Sequence, residues 1–297
     1  MKIIPAIGLM VSVLMGSVSA QPFTITESEA VLRVFGDSIL KGSNDSVRIY
    51  SSVVFKEKFR EILKSEKSFI YSFDSLKNVS TLNSSDGIVR VYTWIVPLFS
   101  NGKISYSGFI QAKDKKSGKI HLLELNEGEF NRQHAEKKSY DYKNWIGALY
   151  YKLITSKSKG EVIYTLLGWR GNDNNSNYKI IDVLKIKNGK AMFGSPVFQT
   201  DKGMRHRIIF EYNRDAVMTL NYDDKKKMIV FDHLSPPDTA MAGNFSSYGP
   251  DFTYDGFRFS KGKWKLLKNI EPRNPRDNTS SPADKIQQNK EFYKPEK

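Results

Sequence analysis

The chain has 297 residues, no cysteine and a formal net charge of +14. The missing thiol excludes disulfides, Cys-ligated zinc, a thiol nucleophile and a lipid-anchored cysteine. The length allows one large domain or two modest ones, with core enough to fold without covalent staples.

Met1–Ala20 has the layout of a secretory signal peptide. Lys2 starts it, an apolar run follows from Ile3 to Leu14, and Val18 and Ala20 supply small residues before a cleavage site. Ile3 to Val18 falls slightly short of the roughly 20 residues a spanning helix needs. Pro5, Gly8 and Gly16 fit cleavage better than the alternative, an uncleaved anchor. The expectation is a periplasmic or extracellular protein starting near Gln21, with no transmembrane segment after cleavage.

Residues 21–75 read as an N-terminal helical segment. Thr26 and Glu29 have the spacing of a capping box, and Ala30, Val31, Val34, Phe35 and Ile39 share a helical face. Gly42 to Asp45 breaks that helix, a second carries Phe55, Phe59, Ile62 and Leu63, and a short strand is expected at Ser68 to Phe73. Residues 76–270 read as a β-rich domain, with two packed halves as an option divided near 126–140. Ile88–Leu98, Ile104–Ala112 and Ile120–Leu125 form a three-stranded meander around turns at Asn101-Gly-Lys and Lys116-Ser-Gly-Lys119. Tyr142 to Leu153 reads as a short helix or turn entering a strand. Strands follow at 162–169, 178–186, 192–198, 206–212, 216–222 and 228–232. A long Pro/Gly/Ser-bearing loop, His233 to Pro250, precedes a last hairpin over 252–267. The segment 271–297, rich in Pro, Asn, Ser and Lys, reads as a disordered basic tail. The fold class expected is α+β, mainly antiparallel β, as a sandwich, barrel or propeller-like meander with N-terminal helices.

Gly36-Asp37-Ser38 resembles the nucleophile block of GDSL esterases. The glycine and Asn-Asp block that should follow and the Asp-x-x-His pair are missing, so a helix end is favoured. Asp173, Asn175 and Asn177 open like a calcium loop, but Tyr178 and Leu184 stand where glycine and the closing glutamate belong. No metal ligand set and no cofactor is expected. Asp232 and His233 end a strand near Tyr248 and Asp251, with Asp238 and Asp255 also close in sequence. A carboxylate–imidazole pair there is the one candidate for acid/base chemistry. Trp169 and Arg170, at a strand-to-loop junction beside Asp173, are candidates to stack on a sugar or hold an anion, and Tyr248 joins them as a ligand-binding candidate.

Eight blocks then stand out: Asp74-Ser-Leu-Lys-Asn78, Val89-Arg-Val-Tyr-Thr-Trp94, Tyr164-Thr-Leu-Leu-Gly-Trp169, Lys179-Ile-Ile-Asp-Val-Leu184, Phe193-Gly-Ser-Pro-Val-Phe198, Ile209-Phe-Glu-Tyr212, Val230-Phe-Asp-His-Leu-Ser235 and Tyr248-Gly-Pro-Asp-Phe252. Together they resemble an exported bacterial family of unknown function, over most of 55–270. Arg170 departs from that pattern, where an acidic residue is expected. The resemblance implies a bacterial, exported protein and no activity.

The expected function is a non-enzymatic, envelope-associated binding or interaction protein. Its partner would be an anionic envelope surface, a glycan or another envelope protein. The lysine-bearing turns at 113–116, 157–159, 225–227 and 261–263 fit an anionic surface, but the favoured reading is a soluble sheet protein with guarded edges. Export and the lack of a binding motif argue against nucleic acid. The alternative is a hydrolase built on Asp232 and His233 with the 233–251 loop.

Overall fold

The structure is a computed structural model that describes residues 24–271. The signal-like segment 1–20 lies outside the described residues, as does all of the 271–297 tail beyond its first residue. Two N-terminal helices and three antiparallel-dominated sheets form an α+β, mainly antiparallel β fold.

Helix α1 (Ile25–Lys41) starts two residues before the expected capping box. Thr24 accepts from the Glu27 amide at 3.2 Å, and the Glu27 carboxylate accepts from the Thr24 amide at 2.8 Å. Glu29, the expected box partner, is buried instead and accepts from the Tyr71 hydroxyl at 2.6 Å and the Ser75 amide at 2.9 Å. Helix α2 (Asp45–Leu63) is capped by the Asn44 side chain, which accepts from the Val47 amide at 3.0 Å. The strand expected at Ser68–Phe73 is a 3-10 turn, Glu66–Phe69. Its carbonyls are claimed by a side chain from the sheet below: Arg90 Nη1 donates to Ser68 and Phe69 at 2.8 Å each. That leaves the segment nothing to pair as a strand.

The first sheet runs β1 (Ser80–Asn83), β2 (Val89–Pro97), β3 (Ile104–Lys113) and β4 (Ile120–Leu125) as a simple meander. The second contains β5 (Tyr140–Asp141), β6 (Leu149–Ser158), β7 (Glu161–Gly171), β8 (Ser176–Lys187) and β9 (Lys190–Phe193), ordered β5-β9-β8-β7-β6. The third contains β10 (Phe198–Thr200), β11 (Gly203–Arg205), β13 (Leu220–Asp223), β14 (Met228–Ser235), β15 (Gly249–Ser260) and β16 (Lys263–Leu267), ordered β11-β10-β16-β15-β14-β13. Between β11 and β13, strand β12 (Ile208–Asn213) pairs with the first half of β8, on the edge that β9 occupies further along. β10 and β16 form the parallel pair.

Side-chain alternation explains the stacking. On β2, Val89 and Val91 face the second sheet, while Tyr92, Trp94 and Val96 face the helices. On β7 and β8, Tyr164, Leu166, Ile180 and Leu184 meet the first sheet. Ile163, Leu167, Ile181 and Val183 meet Phe198, Ile229, Phe231, Phe257 and Trp264 of the third. The order is therefore helices, first sheet, second sheet, third sheet, with three apolar interlayers. The inner strands are covered on both faces, so β2, β7 and β8 read as continuous apolar runs. Against the helices, Phe55 meets Trp94 edge-on at 5.2 Å and Phe59 meets Tyr92 at 5.3 Å. Each such ring contributes about 1.5–3 kcal/mol on burial.

One polar cluster sits between the first two sheets. Asp182 and Arg207 are fully buried, with 3.2 Å between carboxylate and guanidinium Nε. Tyr150 donates to Asp182 at 3.1 Å and accepts from Trp145 Nε1 at 3.1 Å. Arg207 Nη1 donates to the Ala135 and Lys138 carbonyls, pinning the short helix α3 (Arg132–Ala135) and the turn after it.

Candidate functional site

The cleft of most interest lies where β12 faces β14. It begins with an irregularity in the β14–β15 ladder: Asp232 pairs with Tyr254 and Leu234 with Pro250, so Asp251, Phe252 and Thr253 together oppose His233. Such a bulge bends the strand and re-aims side chains. Asp251 closes it by accepting from the Thr253 amide at 3.0 Å and hydroxyl at 2.7 Å. Burial pushes the Asp251 carboxyl up, but those bonds and the charge of His233 outweigh it and hold it below the usual range. Phe252 sits at φ 68 in the left-handed region and is 91 % exposed. A phenylalanine in that conformation is strained, and strain of this kind clusters at ligand sites.

Asp232 and His233 are neighbours on one strand, so they face opposite ways. Asp232 accepts from the Thr219 amide at 2.7 Å and hydroxyl at 2.6 Å, and it fixes the approach to β13. The carboxylate on His233 is that of Asp255, with Nδ1 to Oδ2 at 2.8 Å. Asp255 is held in turn by the Asn269 amide at 3.0 Å. This bond to a carboxylate makes Nδ1 the donor and leaves Nε2 as the ring nitrogen without a protein partner among the described residues. The His233 side chain is 42 % exposed and that of Asp255 is 8 % exposed, so the pair is anchored on one side and open on the other. The sequence pattern marked His233 but favoured its chain neighbour as partner. Only the cross-strand register shows Asp255 beneath it.

The cleft, about 200 Å³, is bounded by Phe210, Phe231, Phe245 and Tyr248 as well as the His233–Asp255 pair, and Asp232 contributes to its wall. A second hollow of about 290 Å³ continues from it past Phe245 and Asp255 towards Arg205. Phe210 and Phe231 lie 4.6 Å apart, and Phe245 and Tyr248 5.1 Å apart. Arg132 lies over the Phe245 ring at 4.2 Å and pairs with Glu211 at 2.9 Å. Tyr248 is set by its hydroxyl, which accepts from the Gly243 amide at 2.9 Å. Arg132 and Phe245 lie in none of the eight sequence blocks, and Phe210 and Glu211 lie in one, Ile209-Phe-Glu-Tyr212, that pointed to no site. They enter the cleft because β12 leaves the third sheet to pair with β8.

Trp169 and Arg170 stand apart from the cleft and on opposite faces of β7. Arg170 is a structural clamp: it donates to the Ile146 and Gly147 carbonyls at 2.7 and 3.0 Å, pairs with Glu127 at 3.0 Å and lies over the Tyr106 and Phe130 rings. Asp173 Oδ1 accepts from the Asn175 and Ser176 amides at 2.7 and 2.9 Å, which closes the β7–β8 turn. Ser38 is helical, with its hydroxyl bonded back to the Val34 carbonyl at 3.0 Å. Among the described residues no group of three or more His, Cys, Asp or Glu side chains could hold a metal ion. No helix among them is long and apolar enough to cross a membrane.

No family model matches the chain, and no curated protein or solved structure matches it.

Proposed function

We propose that the protein is a non-enzymatic binding protein of the bacterial envelope that takes a glycan in the β12–β14 cleft. The observation that carries this reading is the half-open His233–Asp255 pair set among aromatic rings. A sugar ring offers an apolar face and a rim of hydroxyls. Phe245, 39 % exposed, and Tyr248 supply surfaces for the face. His233 Nε2, the Arg132 guanidinium and the Glu211 carboxylate supply fixed donors and acceptors for the hydroxyls. A few oriented polar groups among aromatic walls are the common make-up of small-ligand sites.

The exported location rests on the signal-like Met1–Ala20 and on the resemblance of the eight sequence blocks. A hydrolase built on Asp232 and His233 lacks support on one point: the Asp232 carboxylate accepts from the Thr219 amide and hydroxyl, and the imidazole is paired with Asp255 instead.

Calorimetric titration of the mature protein with a panel of neutral and acidic oligosaccharides tests the proposal. At least one should bind saturably, and His233→Ala and Phe245→Ala should each weaken that binding tenfold or more while thermal unfolding stays unchanged. A panel without saturable binding, or binding indifferent to both substitutions, refutes it.

A further inference from the structure

A second concavity lies at the far end of β8, roughly 26 Å of strand beyond the point where Phe210 pairs with Lys179, at about 3.3 Å per residue. Three hairpin turns meet there: β3–β4, β6–β7 and β8–β9. Each carries a glycine in the left-handed region, Gly118 at φ 72, Gly160 at φ 81 and Gly189 at φ 68, which lets each turn close tightly. The β8–β9 turn packs so closely on the β3–β4 hairpin that a Cβ on Gly189 would lie 3.2 Å from the His121 ring.

The turns enclose about 470 Å³, with Lys113, Lys115, Lys116, Lys185 and Lys187 on the rim and Tyr164 on a largely apolar floor. Five ammonium groups face two carboxylates. Asp114 is committed to its own turn, accepting from the Lys116 amide at 3.0 Å and from the Ser117 amide and hydroxyl at 2.7 and 2.8 Å. Glu161 pairs with Lys185 at 3.5 Å and, loosely, with Lys187 at 3.9 Å. Lys113, Lys115 and Lys116 take part in none of the ion pairs among the described residues.

Crowding like charges around a hollow opposes folding, and a concave low-dielectric wall strengthens their joint field. A bound anion would relieve the repulsion. The cation type narrows the class: arginine forks match planar carboxylates, whereas lysine acts as a point charge suited to phosphate. The hollow favours a compact ligand over a flat surface.

We propose that this cleft binds a compact oligoanion bearing several phosphates, independently of the β12–β14 cleft. The phosphates could belong to a soluble molecule or to a lipid headgroup, and two probes separate these sources. Soluble tripolyphosphate is titrated against the full chain, alongside vesicles containing phosphatidylglycerol. Tripolyphosphate should bind saturably, more weakly as salt rises. Lys115→Gln/Lys116→Gln/Lys187→Gln, all exposed positions, should weaken it at least tenfold. The control Lys41→Gln/Lys64→Gln/Lys67→Gln, on and after the helices, should leave it unchanged. No binding of either probe, salt-independent binding, or an equal loss in the control each overturns the proposal; binding to the vesicles alone assigns the phosphates to a lipid headgroup. His233→Ala should leave tripolyphosphate binding intact, so failure here and failure of the glycan reading are distinguishable.

Discussion

Two acid–base pairs in this molecule use the same chemistry at opposite depths. Asp182 and Arg207 are sealed between the first two sheets at 0 % exposure each. Asp255 and His233 meet at a ladder bulge, with the imidazole 42 % exposed. The buried pair is held by Tyr150, the Val183 amide at 2.8 Å, and the carbonyls of Ala135 and Lys138, which leave Arg207 Nε with its ion-pair contact alone and Nη2 without a hydrogen bond. The open pair keeps one ring nitrogen without a protein partner among the described residues. Burial thus separates a pair that ties β8 to the 132–138 segment from one whose imidazole stays open to solvent.

The sharpest way to break this comparison is to remove one member of the buried pair. Asp182→Leu leaves the Arg207 guanidinium uncompensated in the interior and should cost about 3–5 kcal/mol of stability, read by urea unfolding. Replacing both, as Asp182→Leu/Arg207→Met, should restore most of that loss, because an apolar pair avoids the desolvation of two charges. A single substitution costing under about 1 kcal/mol would show that the cluster does not hold the 132–138 segment to β8.

The open pair should respond in the opposite sense. Asp255→Asn removes the charge that orients His233 and retains a group able to accept from the Asn269 amide. Its stability cost should stay near or below about 1 kcal/mol, the usual scale of one net hydrogen bond. Affinity for a glycan should fall tenfold or more, since Nε2 is no longer held. A large stability loss with unchanged affinity would make Asp255 a structural residue.

The sequence displayed these two pairs unequally. The strands were legible because hairpin turns mark their ends, but the four-layer order was not, because β2 and β7 read as continuous apolar runs with no alternation to sort their faces. His233 was legible as a lone imidazole at a strand end. Asp255 was not, because the bulge adds residues to β15 and shifts which of its carboxylates lies under the ring. Asp182 hid inside an apolar run, Lys179 to Leu184, with nothing local to mark its partner 25 positions on. Arg207 is placed by β12 pairing with β8, a long-range choice invisible to periodicity. The lysines of 113–116 read as ordinary solubilising turns, and their juxtaposition with Lys185 and Lys187 depends on three turns meeting in space. Trp169 and Arg170, adjacent in sequence, part because neighbours on a strand face opposite sides.

The smallest effect concerns pH and comes from the residue next to the buried pair. His206 bonds to the Ser139 hydroxyl at 3.0 Å, and burial, followed by the charge of Arg207, pushes its pKa below the ordinary value of 6.5. The folded chain therefore holds this imidazole neutral where the unfolded chain accepts a proton. The unfolded state binds more protons in that window, so stability rises with pH across it. The contribution is fully present above about pH 6.5 and is lost as pH falls through the lower folded value. Glu124 does not interfere: burial pushes it up, but Arg60 and Lys56 hold it below 4.5, under this window. Urea midpoints measured from about pH 7.5 to about pH 5 should decline, and His206→Gln should flatten part of that decline. An unchanged slope in the variant would mean that neither burial nor the field of Arg207 shifts His206, which would draw the boundary of the buried pair more tightly around its own two residues.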